Sequence, residues 1–140
     1  MKSQAGRIVV GYNGSDHSEI ALTWAATEAE QRGQGLTVVH VIDCVGRVPT
    51  PAALFGGPMT DDQNLAAVAG GGADRARTMT GLTDVRSVTS VARVPSALVE
   101  LSTDAELLVV GTRGHSNLAG AVLGSVAFSV SAHARCPVAV

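Results

Sequence analysis

The chain has 140 residues, an ordinary size for one domain, with a formal net charge of −2 from 10 Lys+Arg and 12 Asp+Glu. No basic cluster stands out, which argues against nucleic acid as a partner, because that needs a patch able to neutralise phosphates. Hydrophobic residues make up 46% but aromatics only 3%, so the core is built of Val, Leu, Ile and Ala, while the apolar runs are too short to span a bilayer and the opening Met1-Lys2-Ser3-Gln4 is no signal peptide.

Arg7-Ile8-Val9-Val10-Gly11 predicts a first buried strand, and Tyr12-Asn13-Gly14-Ser15 the turn after it. Asp16, with Glu19 three residues on, resembles a capping box and starts a helix. Its apolar stripe runs through Ala21, Leu22, Ala25 and Ala29 to about Arg32, and Gly33 or Gly35 ends it. Small alanines there let the helix lie close to a sheet. Leu36 to Ile42 is a second strand, apolar almost throughout. Asp43 to Asp62 reads as a loop carrying Pro49, Pro51 and Pro58, long enough to be a functional or mobile segment. Asp61 or Asp62 caps a second helix from Gln63 to about Met79. Gly70-Gly71-Gly72 in its middle should break or shorten it, at roughly 1 kcal/mol per glycine against alanine.

Thr83 to Val91 alternates loosely, which suits a strand at the sheet edge. Pro95 fits a helix's first turn, with Ala97, Leu98 and Leu101 as a short apolar face. Leu107 to Val110 is a fourth strand, a last helix covers roughly Ser125 to Ala134, and Pro137 to Val140 is a terminal fifth strand. Strands alternating with helices, several of them apolar on both faces, predict an α/β fold: one doubly wound parallel sheet with helices on both faces.

The chemistry concentrates between Leu107 and Val126, in the spacing Gly111-x2-Gly114-x9-Gly124-Ser125. Glycines at a strand's end let the backbone turn at positive φ and let its N–H groups approach a ligand with no Cβ in the way. Gly124 and Ser125 stand where a helix begins, with free N–H groups and the positive end of the dipole offered to an anion, the physical recipe for holding phosphate. VVGYNGS (Val9 to Ser15) and VVGTRGHS (Val109 to Ser116) share one form, an apolar strand running into a glycine turn. In doubly wound sheets ligands bind where strand order reverses, so two such turns suggest that strands 1 and 4 flank that point.

Other candidates have plainer readings beside the functional ones. Arg113 and His115, inside the loop, either complement a phosphate or are solvated side chains. His40 reads as a packed, hydrogen-bonded histidine, His17 and His133 as helix-surface residues, and Trp24 as core or interface. Ser15 and Ser125 lie in no Gly-x-Ser-x-Gly and are better explained as capping or phosphate-contacting hydroxyls. No Gly-Lys-Ser/Thr occurs, which excludes a P-loop NTPase. Cys44 and Cys136 have no metal or redox spacing and read as reduced thiols of a cytosolic protein.

VVGYNGS near the start, VVHVID (Val38 to Asp43) and VVGTRGHSNLAGAVLGSVAFSV with CPVAV at the end together resemble the universal stress protein family. The likeness runs along the whole chain and is most specific in its last third, where the Gly-x2-Gly-x9-Gly-Ser spacing is similar to that of the family's ATP-binding branch. Another branch lacks those glycines and binds no nucleotide. The resemblance implies an open sheet of five parallel strands in the order 3-2-1-4-5 and a homodimer, often paired through the last strand. It implies that Gly111, Gly114, Gly124 and Ser125 hold phosphates and ribose, with Val126 and Ala127 in the same turn and Thr112, Arg113 and His115 in the loop between. It also implies that Val41 lines an adenine pocket beside the Tyr12-Asn13-Gly14 turn. Asn13 stands where the family's ATP binders usually carry Asp and brings no charge. Arg93 stands where a glycine is common before Pro95. Asp43 either reaches a nucleotide-bound Mg2+ from the same rim or bonds its own backbone.

The expectation is therefore a cytosolic protein that binds an adenine nucleotide (ATP, or AMP or cyclic AMP, with Mg2+ accompanying it). It would act as a sensor or switch and at most as a slow ATPase, since no general base is evident. The alternative is a nucleotide-free dimeric interaction protein of the same fold.

Overall fold

The computed structural model describes residues 2–44, 62–113 and 123–140, with the backbone alone for 62–65. Most of the predicted loop from Asp43 to Asp62, and the site candidates Gly114 and His115, lie outside the described residues. The elements in chain order are β1 (Arg7–Gly11), α1 (Asp16–Arg32), β2 (Gly35–Asp43), α2 (Asp62–Met79), β3 (Val85–Ala92), α3 (Val94–Leu101), β4 (Leu107–Val109), α4 (Ser125–His133) and β5 (Val138–Ala139). The strands form one five-stranded sheet in the order β3-β2-β1-β4-β5, all pairs parallel.

Alternation along the central strands explains the layers. Ile8 and Val10 of β1, with Leu36 and Val38 of β2, face α1 and α2, where Ala21, Ala25, Ala29, Ala73 and Ala76 bring the helix backbones close to the sheet. Val9, Val39 and Leu108 face the other way, against Leu98 and Leu101 of α3 and Ala127 and Val130 of α4. Both cores are aliphatic, as a chain so poor in aromatics requires. β3 takes the edge, and its burial alternates along its whole length.

Local details depart from expectation in three places. The N-cap of α1 is Ser15 and not Asp16: Ser15 is extended (φ −72°, ψ 161°) and its Oγ accepts the Ser18 N–H at 3.3 Å. Asp16 is the first helical residue, where with Glu19 it complements the helix dipole. Gly33 closes α1 in the left-handed region at φ 64°.

α2 runs unbroken from Asp62 to Met79, through the glycine triplet. Burial of Ala69, Ala73 and Ala76 holds it to the sheet, and packing outweighs the helix propensity that the glycines lack. A Cβ on Gly72 would stand 2.9 Å from two ring carbons of Tyr12 and 3.0 Å from Val38 Cγ1, so its absence makes the seat for that ring. Nothing in the structure explains Gly70 and Gly71, whose Cβ atoms would meet nothing within 4 Å among the described residues.

Trp24 is 45% exposed, one turn from the exposed Ile20, so it is not a core residue. At the N-terminal ends of the strands, far from the glycine turns, a buried arginine joins three segments. Arg7 donates to Thr37 Oγ1 (2.9 Å), to the Leu36 carbonyl (2.6 Å) and to Asp84 Oδ2 (2.7 Å). A charge so placed persists only because each face of the guanidinium fork meets an acceptor.

Candidate functional site

The chain runs outward from β1 to β2 and β3, then returns past β1 to β4. The connections leaving β1 and β4 therefore head in opposite directions, and a gap opens beyond their carboxyl ends. The crevice there has a volume of about 320 Å³. One wall is apolar, made by Val39 and Val41 of β2 and Val94 and Leu98 of α3. The other is backbone and small polar groups: Gly111, Thr112 and Arg113 leaving β4, and Gly124 to Ala127 opening α4. Tyr12 and Asn13 close the β1 side.

Gly111 and Gly124 are there for space, and not for positive φ. Among the described residues only Gly6, Gly14 and Gly33 have positive φ. A Cβ on Gly111 would lie 2.8 Å from the His17 carbonyl oxygen, and one on Gly124 would lie 3.1 Å from the Thr112 carbonyl oxygen. Each glycine lets two turns of the crevice rim touch. His17 joins this contact through its ring, with Nδ1 3.2 Å from Thr112 Oγ1, so it is a half-buried linker and not a plain helix-surface residue.

The amides of the rim divide into used and unused. The Gly124 N–H, expected to be free, donates to the Thr112 carbonyl at 2.6 Å. Gly124 is the extended N-cap of α4, and no side chain among the described residues caps the helix. The first intrahelical bond is that of Phe128 N–H to the Gly124 carbonyl, at 2.9 Å. The amides of Ser125, Val126 and Ala127 therefore form an uncapped first turn on the crevice wall, carrying the positive end of the helix dipole.

On the β1 side every polar atom of Tyr12 is engaged. Its N–H donates to the Val39 carbonyl at 2.8 Å, and its carbonyl accepts from His40 Nδ1 at 3.0 Å, which places the proton of that ring on Nδ1. The hydroxyl donates to Glu19 and accepts from Arg75, and Arg75 also pairs with Glu19. Burial, and then the Glu19 carboxylate beside it, push the Tyr12 phenol above its ordinary range. Asn13 Oδ1 accepts the Ser15 N–H at 3.0 Å, and the Asn13 N–H donates to Ser18 Oγ at 3.3 Å. Together these two bonds form a local turn that Asn supports as well as Asp does.

Of the sequence candidates, Tyr12, Asn13, Val41, Gly111, Thr112, Arg113, Gly124, Ser125, Val126 and Ala127 all border the crevice. Gly14 does not line it; at φ 81° it turns the chain behind Asn13. Asp43, exposed at the far end of β2, does not line it either. Sequence reasoning missed Gly11, Ser18, Val39, Val110 and Leu123 as lining residues, and with them Val94 and Leu98 of α3. For the two α3 residues the available clue was the four-residue step from Val94 to Leu98, which puts both on one helix face. No carboxylate and no histidine lines the crevice among the described residues. Nor do three His, Cys, Asp or Glu converge there as metal ligands anywhere among those residues. None of the described helices is long and apolar enough to cross a membrane.

An apolar slot facing a row of unused amides suits a ligand with a flat, weakly polar end and an anionic end. Comparison with known proteins gives that shape a context. The Universal stress protein family profile matches residues 5–140. A universal stress protein of Mycobacterium tuberculosis is 36% identical over 143 residues, covering 95% of this chain and 46% of the relative. A second from the same organism is 34% identical over 138 residues, with the same coverage. The chain thus spans about half the length of these relatives. Among solved structures, a universal stress protein in complex with cAMP is 31% identical, with a TM-score of 0.69 over 99% of this chain and 97% of that one. The Archaeoglobus fulgidus universal stress protein in complex with dAMP is 25% identical, with a TM-score of 0.64 over 96% of each chain.

Proposed function

The chain belongs to the universal stress protein family, and from that premise we propose that it binds an adenine nucleotide in the crevice between β1 and β4 and works as a nucleotide-dependent sensor. The observation that carries this reading is the facing of two unlike walls across 320 Å³. Val39, Val41, Val94 and Leu98 offer a base an apolar slot, and the uncapped Ser125-Val126-Ala127 turn offers phosphate three amides. The cAMP and dAMP held by two similar structures support the same ligand class. ATP is the member we propose, with any Mg2+ carried on its phosphates, because among the described residues no carboxylate lines the crevice to hold the ion.

That same absence argues for binding over turnover. Fast hydrolysis is helped by a general base that takes a proton from the attacking water, and neither a carboxylate nor a histidine borders the crevice among the described residues. We take the protein to be a homodimer in this role, since β5 leaves one edge of the sheet open.

Calorimetric titration with ATP, AMP and cyclic AMP tests the reading. Micromolar binding of at least one, about −8 kcal/mol, is expected at one site per chain. Absence of heat with all three at saturating concentration overturns it and leaves the nucleotide-free interaction protein. Sedimentation with and without ATP reads the dimer separately.

A further inference from the structure

Tyr12 is the one aromatic ring on the crevice rim among the described residues, and its side chain is held from behind. Its ring rests on the bare Cα of Gly72 in the middle of α2, and its hydroxyl is engaged by Glu19 of α1 and Arg75 of α2. Gly72 and Arg75 are one turn apart on α2, three residues, and so share a face. Neither residue lines the crevice. The residue that follows Tyr12 is Asn13, which does, and whose turn is tied to Ser15 and Ser18. The chain from β1 to α1 therefore passes through a residue whose backbone is tied to β2 and whose side chain is seated on α2.

We infer that Gly72 and Arg75 are positioning residues for the nucleotide site: α2 seats Tyr12, and the seated Tyr12 holds the Asn13 edge of the crevice where a nucleotide needs it. The inference rests on the nucleotide reading above and gives the triplet's third glycine a function at a distance from the ligand. A methyl group at residue 72 meets two ring carbons at 2.9 Å and Val38 at 3.0 Å. The ring is fixed at its backbone and at its hydroxyl, so it cannot swing clear without moving the turn.

The test compares Gly72→Ala with Gly71→Ala, which makes the same chemical change where nothing lies within 4 Å. ATP affinity is read by calorimetry and the ring by NMR with labelled tyrosine, since the chain has a single Tyr. Gly72→Ala should weaken ATP binding about tenfold and displace the Tyr12 ring signals without ligand. Gly71→Ala should do neither. Wild-type protein that binds ATP alongside a Gly72→Ala variant that binds equally well overturns the inference alone. Wild-type protein that binds no nucleotide overturns the proposed function, and the inference falls with it. Should Gly72→Ala fail to fold, Arg75→Leu decides: a side chain 59% exposed is removed without cost to the core. A threefold loss of ATP affinity, about the effect of one weak polar contact, supports the positioning role, and unchanged affinity overturns it.

Discussion

The carbonyl oxygen of His17 lies 2.8 Å from the point that a Cβ on Gly111 would occupy. This contact joins the first turn of α1 to the exit of β4 backbone to backbone, and Thr112 Oγ1 reinforces it from His17 Nδ1 at 3.2 Å. The two connections that wall the crevice are thus one packed unit. Gly111→Ala places a methyl group against main chain that has no rotamer to retreat to. The expected cost is that of overpacking, about 1–3 kcal/mol, seen as a lower urea midpoint at unchanged slope, together with weaker ATP binding. An unchanged midpoint would show that the two turns are not held together.

The remaining glycines of α2 behave in the opposite sense. Cβ atoms on Gly70 and Gly71 meet nothing within 4 Å, and both residues are already helical. Alanine there narrows the unfolded ensemble and raises helix propensity, so each substitution should stabilise by about 0.4–1 kcal/mol. For a chain of this size that is a melting temperature higher by about 3 °C. A calorimetric scan in which either variant melts lower than wild type would contradict the open space around them.

These two cases show where the sequence was readable. β1, β2 and β4 announce themselves because strands covered on both faces are apolar at consecutive residues, as in Ile8-Val9-Val10 and Leu107-Leu108-Val109. The glycine turns after β1 and β4 pointed to the crevice for a similar reason, since only a few backbone geometries follow such strands. Why a glycine is needed was not readable. Gly111 serves a close approach and Gly14 a positive φ, and the same letter stands for both. The triplet looked like a helix break because local propensity was visible, while the burial of Ala69, Ala73 and Ala76 was not. Val94 and Leu98 escaped notice because which strands α3 covers depends on the return past β1, a property of topology alone. Asp43 was placed on the crevice rim because it ends the second strand, yet it does not line the crevice.

Ser125 allows the amide and the hydroxyl of the α4 turn to be separated. It is the first helical residue, where proline is tolerated, and Gly124 before it already has the extended geometry (φ −69°, ψ 160°) that a following proline demands. Ser125→Pro should therefore fold as wild type does while lacking one N–H on the crevice wall. ATP affinity should fall by about tenfold, the loss of one hydrogen bond to a charged acceptor. Ser125→Ala, which keeps the amide, should lose less. Equal affinity of Ser125→Pro and wild type would mean that the anion is held elsewhere.

Asp84 provides a pH dependence at the opposite end of the sheet. The hydrogen bond from the Arg7 guanidinium holds its carboxyl below the ordinary value of 3.8. A carboxyl depressed by folding contributes stability that is fully present above its unfolded value and is lost as pH falls through the lower folded one. The pair should thus support the fold at neutral pH and weaken from about pH 4 downward, when Arg7 keeps its buried bonds to Thr37 and the Leu36 carbonyl but loses its counterion. Because the Asp84 side chain is 64% exposed, solvent screening keeps the contribution near 1 kcal/mol. Asp84→Asn should lower the unfolding free energy read from urea titration by that amount at pH 7, and the two proteins should converge as pH drops below 4. A gap between their midpoints that stays constant from pH 7 to pH 3 would mean that the Asp84 charge has no part in stabilising the sheet.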